Sequence, residues 1–169
     1  GALKQWTWEE KIDSKHVRVL FHTDPNGMHQ LQDLGAYYQI APLLNINGYI
    51  PRQAILPVMY QSSILLVLTT LSTPKGTHGI MGTKFFENIG IEKPILCVRS
   101  DEECLADAIQ KTNAGLAATS VDEVKTFIME KYQEWLQHGY TRQAVINKEQ
   151  FTRQHEAEQF EQLFIQTLK

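Results

Sequence analysis

The sequence predicts an α/β fold, a Rossmann-like doubly wound parallel sheet built as a single domain over residues 1–169. Three observations point to it. Continuous apolar runs at 64–70, 95–99 and 116–119 have the composition of strands covered on both faces, as in a parallel sheet. Segments with apolar residues at helical spacing alternate with these runs, which calls for crossover connections. The chain of 169 residues suits one well-cored domain and is short for two.

Each element has its own warrant. The stretch Lys4–Lys15, with Trp6 and Trp8, reads as a helix entering the first strand, and the two tryptophans as packing residues. Val17–Phe21 is β-branched and aromatic and ends at Asp24-Pro-Asn-Gly27, a turn composition. Leu31, Leu34 and Tyr38 then recur at helical spacing. Leu43–Ile46 is a second strand. Asn47-Gly48 suits a hairpin, but only Tyr49 and Ile50 precede Pro51, so a strand end followed by a helix over Arg52–Ser62 is favoured. Pro57 should kink or restart that helix, because its ring removes an interior hydrogen bond. Further helices are expected over Thr83–Ile89 and Asp101–Asn113. Ser120-Val-Asp-Glu123 is a capping sequence opening a long helix to about His138-Gly139, with Val121, Val124, Phe127, Ile128, Trp135 and Leu136 as its apolar face. A last helix over about 148–168 carries Phe160, Leu163, Phe164 and Leu168 on one side, most simply a core face.

Composition excludes several classes. A net charge of −3 gives no basic face for nucleic acid. No apolar run is long enough to span a bilayer; the longest, around Ile64–Leu68, has the length of a strand. The six histidines are too scattered for a metal site, and no cofactor or metal is expected. Cys97 and Cys104 read as reduced thiols of a cytoplasmic protein. Cys104 has no base beside it in sequence to make it a nucleophile.

In a doubly wound sheet ligands lie beyond the carboxyl ends of the strands. The segments to search are therefore 22–29, 47–52, 70–83 and 99–103. Residues 72–96 are the most informative. Gly76, Gly79 and Gly82 would let a backbone approach a ligand closely. The helix from Thr83 would direct unpaired N–H groups at an anion such as a diphosphate. Lys84 and Glu87 share one face of that helix, and a carboxylate there can accept hydrogen bonds from a ribose diol. The segment is neither a Walker loop nor the dinucleotide glycine fingerprint. On spacing alone, a loop and a helix with a surface Lys–Glu pair describe it as well. His78 and His22 could approach phosphate, but each also reads as an ordinary surface histidine.

Ile64-Leu-Leu-Val-Leu68, the glycine-containing loop, Gly82-Thr-Lys-Phe-Phe-Glu-Asn-Ile89 and Lys93-Pro-Ile-Leu96 together resemble the donor domain of glycosyltransferase family 4. Asn47-Gly-Tyr-Ile-Pro51 resembles the family's turn beside the nucleotide base, and the likeness covers about residues 16–119. It implies the C-terminal half of a GT-B fold, binding a UDP- or GDP-linked sugar as substrate and working with an acceptor domain that is absent here. Carried over by position, Glu87 would hold the donor ribose. Gly82 and Thr83 would donate backbone hydrogen bonds to diphosphate or sugar, with Gly79 and His78 in the same loop. Tyr49 and Ile50 would border the base, and Lys84 would contact phosphate or support the helix. The resemblance further implies a retaining, metal-independent transferase, cytoplasmic or peripheral at the inner membrane. The terminal helix would cross back to the other domain.

Two departures stand out. Many members carry a second Glu eight positions before the ribose-binding one, where this chain has Gly79. The family's phosphate-gripping Arg and Lys, which follow the first strand of the domain, are not recognisable. Because half the active site would come from the acceptor domain, the isolated chain is expected to be inactive as a transferase. Two rivals remain: a non-catalytic Rossmann-like interaction module, and half of a sugar-nucleotide epimerase.

Overall fold

A computed structural model describes residues 12–68, 81–98 and 103–168. The fold is α/β with parallel strands in two small sheets. In chain order the elements are β1 (Val19–His22), α1 (Pro25–Tyr37), β2 (Leu44–Asn47), α2 (Arg52–Gln61), β3 (Leu65–Leu68), α3 (Thr83–Ile89), β4 (Ile95–Val98), α4 (Glu103–Lys111), β5 (Gly115–Ala118), α5 (Val121–His138) and α6 (Arg153–Thr167). Short 3₁₀ turns lie at Ser14–His16, Ala41–Leu43 and Lys148–Phe151. The expected helix over Lys4–Lys15 falls mostly outside the described residues, as do Trp6 and Trp8. Its described end is a single 3₁₀ turn with Asp13 accepting from the Lys15 amide at 2.8 Å.

Among the described residues the strands fall into two small sheets rather than the one expected from the sequence. β1 pairs with β2, in register from Val19↔Leu44 to His22↔Asn47. β3, β4 and β5 form a separate sheet in that order. Every pairing is parallel, because each strand is joined to its neighbour by a helix rather than a tight turn. Among the described residues no strand joins β1 to β3. Apolar runs reveal which segments are strands, but strand adjacency depends on crossovers they do not encode.

Asn47-Gly48 ends β2 and opens no hairpin. Asp24-Pro-Asn-Gly27, read as a turn, is instead the start of α1. The Asp24 carboxylate accepts from the Gly27 amide at 2.7 Å, and Pro25 occupies the first turn, where a missing N–H costs nothing. α2 continues through Pro57 as one helix.

The core lies in the three-stranded part. Val67, Ile95 and Cys97 from β3 and β4 meet Phe85 and Ile89 of α3 and Leu105, Ala108 and Ile109 of α4. The alternation along β3 sends Leu65 and Val67 inward, leaving Leu66 and Leu68 exposed. Gly115 opens β5 at φ +155°, against the backbone of Ile95, where a Cβ would sit 1.9 Å from the Ile95 carbonyl oxygen.

α5 begins as its sequence predicts. The Ser120 hydroxyl accepts from the Glu123 amide at 3.2 Å, and the Glu123 carboxylate accepts from the Ser120 amide at 3.1 Å. It ends at Gly139 in the left-handed conformation, φ +75°. Its apolar face is narrower than expected: Val124, Phe127, Ile128 and Trp135 are half-buried, whereas Val121 and Leu136 are exposed. Trp135 and Tyr132 instead receive His16, whose ring lies 5.2 Å from that of Trp135.

The stripe on α6 is not a core face. Phe160, Leu163, Phe164 and Leu168 are between 58% and 86% exposed. Among the described residues α6 packs chiefly on the 3₁₀ turn before it, so its apolar side lacks cover. Helical periodicity shows that a face is apolar; it does not show what lies against it.

Candidate functional site

The chemistry expected of this chain concentrates on α3. Gly82 precedes the helix at φ −64°, ψ 148°, and among the described residues no atom lies within 4 Å of where its Cβ would be. α3 is amphipathic at short range. Phe85, Asn88 and Ile89 are buried, which leaves Lys84 and Glu87 on the outer side. Their side chains meet at 3.5 Å between Nζ and Oε2 while remaining 72% and 49% exposed. The pair is thus a solvated i,i+3 contact worth about 0–1 kcal/mol, and it leaves the carboxylate open to other partners. Lys93, on the same segment, is used otherwise: its ammonium donates to the Thr141 carbonyl at 3.2 Å.

Thr83 is exposed at the first position of α3. The helix has seven residues, too few for a strong macrodipole, so its amides are at most a supplement to the carboxylate. His78 and Gly79 lie outside the described residues, as do the rest of 69–80 and 99–102.

A second group forms at the carboxyl ends of β1 and β2. The Thr23 amide donates to the Asn47 carbonyl at 3.0 Å, continuing the ladder beyond the strands. His22 Nδ1 donates to the Gly48 carbonyl at 3.1 Å, which fixes the tautomer and ties the two strand ends together. The Asn47 amide donates to the Asn45 side-chain oxygen at 3.1 Å. Tyr49 is 76% exposed and Ile50 half-buried just before α2. The sequence marks both strand ends as candidates but does not reveal the His22–Gly48 link, because it does not say which strands are neighbours.

The structure therefore brings Lys84 and Glu87 together, and His22 and Gly48 together. Among the described residues no hydrogen bond, ion pair or ring contact joins Tyr49 or Ile50 to Gly82–Glu87. Nor is there any group of three or more His, Cys, Asp or Glu able to hold a metal ion. Among the same residues no helix is long and apolar enough to cross a membrane. Cys104 is an exposed thiol at the start of α4. Compared with protein-family models, with curated proteins and with solved structures, the chain matches none.

Proposed function

We propose that this chain is the donor-binding half of a GT-B glycosyltransferase that takes a nucleotide-diphospho-sugar, UDP- or GDP-linked. The observation that carries the reading is the strand order. A doubly wound sheet of order 3-2-1-4-5-6 has its first strand at the centre. Leaving that strand out gives a parallel pair and a parallel triplet, and a β1–β2 pair with a β3-β4-β5 triplet is compatible with this. In such sheets ligands bind at the switch point beside the central strand, beyond the carboxyl ends. Asn47–Pro51 follow β2 at that end, and α3 with Glu87 is the next described element after β3. The residue resemblance over 16–119 assigns the roles: Glu87 to the ribose diol, Tyr49 and Ile50 to the edge of the base, Gly82 and Thr83 to the diphosphate or sugar, with Lys84 in support.

In the full enzyme the chemistry would be electrostatic. Fixed donors would stabilise charge building on the departing diphosphate, while the acceptor would come from another domain. Titration of the chain with UDP, GDP and their sugar conjugates, beside Glu87→Gln, tests this. A diol held by the carboxylate receives charge-assisted hydrogen bonds of roughly 1.5–3 kcal/mol each, so Glu87→Gln should weaken binding about tenfold or more. Thermal stability should hardly change, since only a solvated pair with Lys84 is lost. Unchanged nucleotide affinity would sink the assignment.

A second reading, a non-catalytic interaction module, is favoured by the uncovered Phe160, Leu163, Phe164 and Leu168 on α6. It predicts no nucleotide binding in the same titration.

A further inference from the structure

We propose that residues 140–151 form a positioning strap that orients α3, with Phe151 gripping the helix that carries Glu87 and Lys148 gripping the turn just beyond its end. The inference rests on the nucleotide-binding reading for its functional meaning and on separate contacts for its mechanics. After Gly139 the chain runs across the amino ends of three strands in turn. Thr141, fully buried, donates from its hydroxyl to the Ser63 carbonyl just before β3, at 2.5 Å. The Gln143 amide donates to the Glu92 carbonyl at 3.2 Å, before β4. The Gln143 side chain donates to the Asn113 carbonyl at 2.7 Å, the Asn113 side chain donates to the Ala144 carbonyl at 3.0 Å, and the Ile146 amide donates to the Thr112 carbonyl at 2.8 Å, all before β5.

The strap then turns onto α3. Lys148 pairs with Glu92, which sits in the left-handed conformation (φ +58°) three residues beyond the end of the helix. Phe151 closes a three-ring cluster with the helix. Its ring lies 5.5 Å from Phe85 at 89° and 6.0 Å from Phe86 at 62°, and Phe85 and Phe86 lie 5.5 Å apart. These edge-on geometries are favourable aromatic contacts. α3 is two turns long, and so short a helix has little stability of its own. Its axis is therefore set by what it packs on: the core through Phe85 and Ile89, the strap through Phe86, and the pinned turn at Glu92. Glu87 is adjacent in sequence to Phe86, so a tilt of α3 displaces the carboxylate directly.

The test combines hydrogen exchange with UDP and GDP titration of the 169-residue chain. Variants are Lys148→Met, Phe151→Leu, the conservative Lys148→Arg, and Ser120→Ala as a control of comparable stability loss outside the strap. In Lys148→Met and Phe151→Leu, amides of 85–89 should exchange about three- to tenfold faster relative to those of β4, and nucleotide affinity should fall by a similar factor. Lys148→Arg should restore both, and Ser120→Ala should change neither. If α3 exchange stays level with β4 in both strap variants, the proposal is overturned whatever nucleotide does. Faster α3 exchange with nucleotide affinity insensitive to Glu87→Gln supports the grip of the strap and overturns only the nucleotide reading.

Discussion

At Gly115 a single hydrogen atom decides whether β4 and β5 can pair. Any side chain there would drive a Cβ to 1.9 Å from the Ile95 carbonyl oxygen and 2.6 Å from its nitrogen, in a backbone conformation (φ +155°) that side chains resist. Gly115→Ala should therefore cost about 3 kcal/mol, read as a lowered denaturation midpoint. Gly139 makes a useful contrast. It also has positive φ, but its side chain position faces open space, so alanine there should cost only about 1–2 kcal/mol. A loss at Gly115 no larger than that at Gly139 would show that the sheet relaxes around it. The sequence marks Gly139 as a helix end, while Gly115 only precedes the apolar run 116–119. It does not separate the one pressed on a neighbouring strand from the one that merely turns the chain, because that difference belongs to the tertiary approach of Ile95.

Among the elements, α5 shows how far local chemistry alone can specify structure. The Ser120–Glu123 reciprocal cap was legible as four letters, and it forms. Ser120→Ala should lower stability by about 1 kcal/mol at neutral pH. The Glu123 carboxyl is held below its ordinary value by the backbone amide of Thr119, then that of Ser120, then the Thr119 hydroxyl, at 2.7, 3.1 and 3.1 Å. A depressed folded pKa contributes stability that is complete above the unfolded value of 4.5 and is lost as pH falls through the folded one. Glu123→Gln should accordingly flatten the stability–pH curve on the acid side. A slope identical to that of the parent chain would remove the cap as its source. α1 teaches the opposite lesson. Asp-Pro-Asn-Gly has the same composition in a turn and at a helix start, and only the following Leu31 and Leu34 periodicity favours the second. For α3 the span and the shared face of Lys84 and Glu87 were legible in the sequence. It could not reveal Phe151 as a neighbour of Phe85, since sixty-odd residues separate them.

For the molecule as a whole, burial is unequally shared. Among the described residues the buried apolar ones fall almost entirely between Leu65 and Ala118, while β1, α1, β2 and α2 contribute no fully buried large side chain. Hydrophobic stabilisation scales with the area removed from water, so the two parts should not be equally resistant to opening. Amides of Phe21 and Ile46 should exchange at least about tenfold faster than those of Ile95–Cys97 under native conditions. Equal protection would mean that the two sheets open as one unit. The alternation of strands and helices was legible throughout the described residues, because apolar continuity and helical spacing are local patterns. The division into two sheets and the bare side of α6 were not, since both concern what an element meets rather than what it is. The strap across β3, β4 and β5 also bears on how the chain comes off the ribosome. Ser63, Glu92 and Thr112 wait for partners that are translated later, so the sheet's amino edge stays uncapped while those residues are still being made. At about 5–20 residues per second these intervals last roughly 2 to 16 seconds. Nascent chains arrested short of Phe151 should therefore be cut readily by a protease at 83–92, and chains arrested well beyond it should resist.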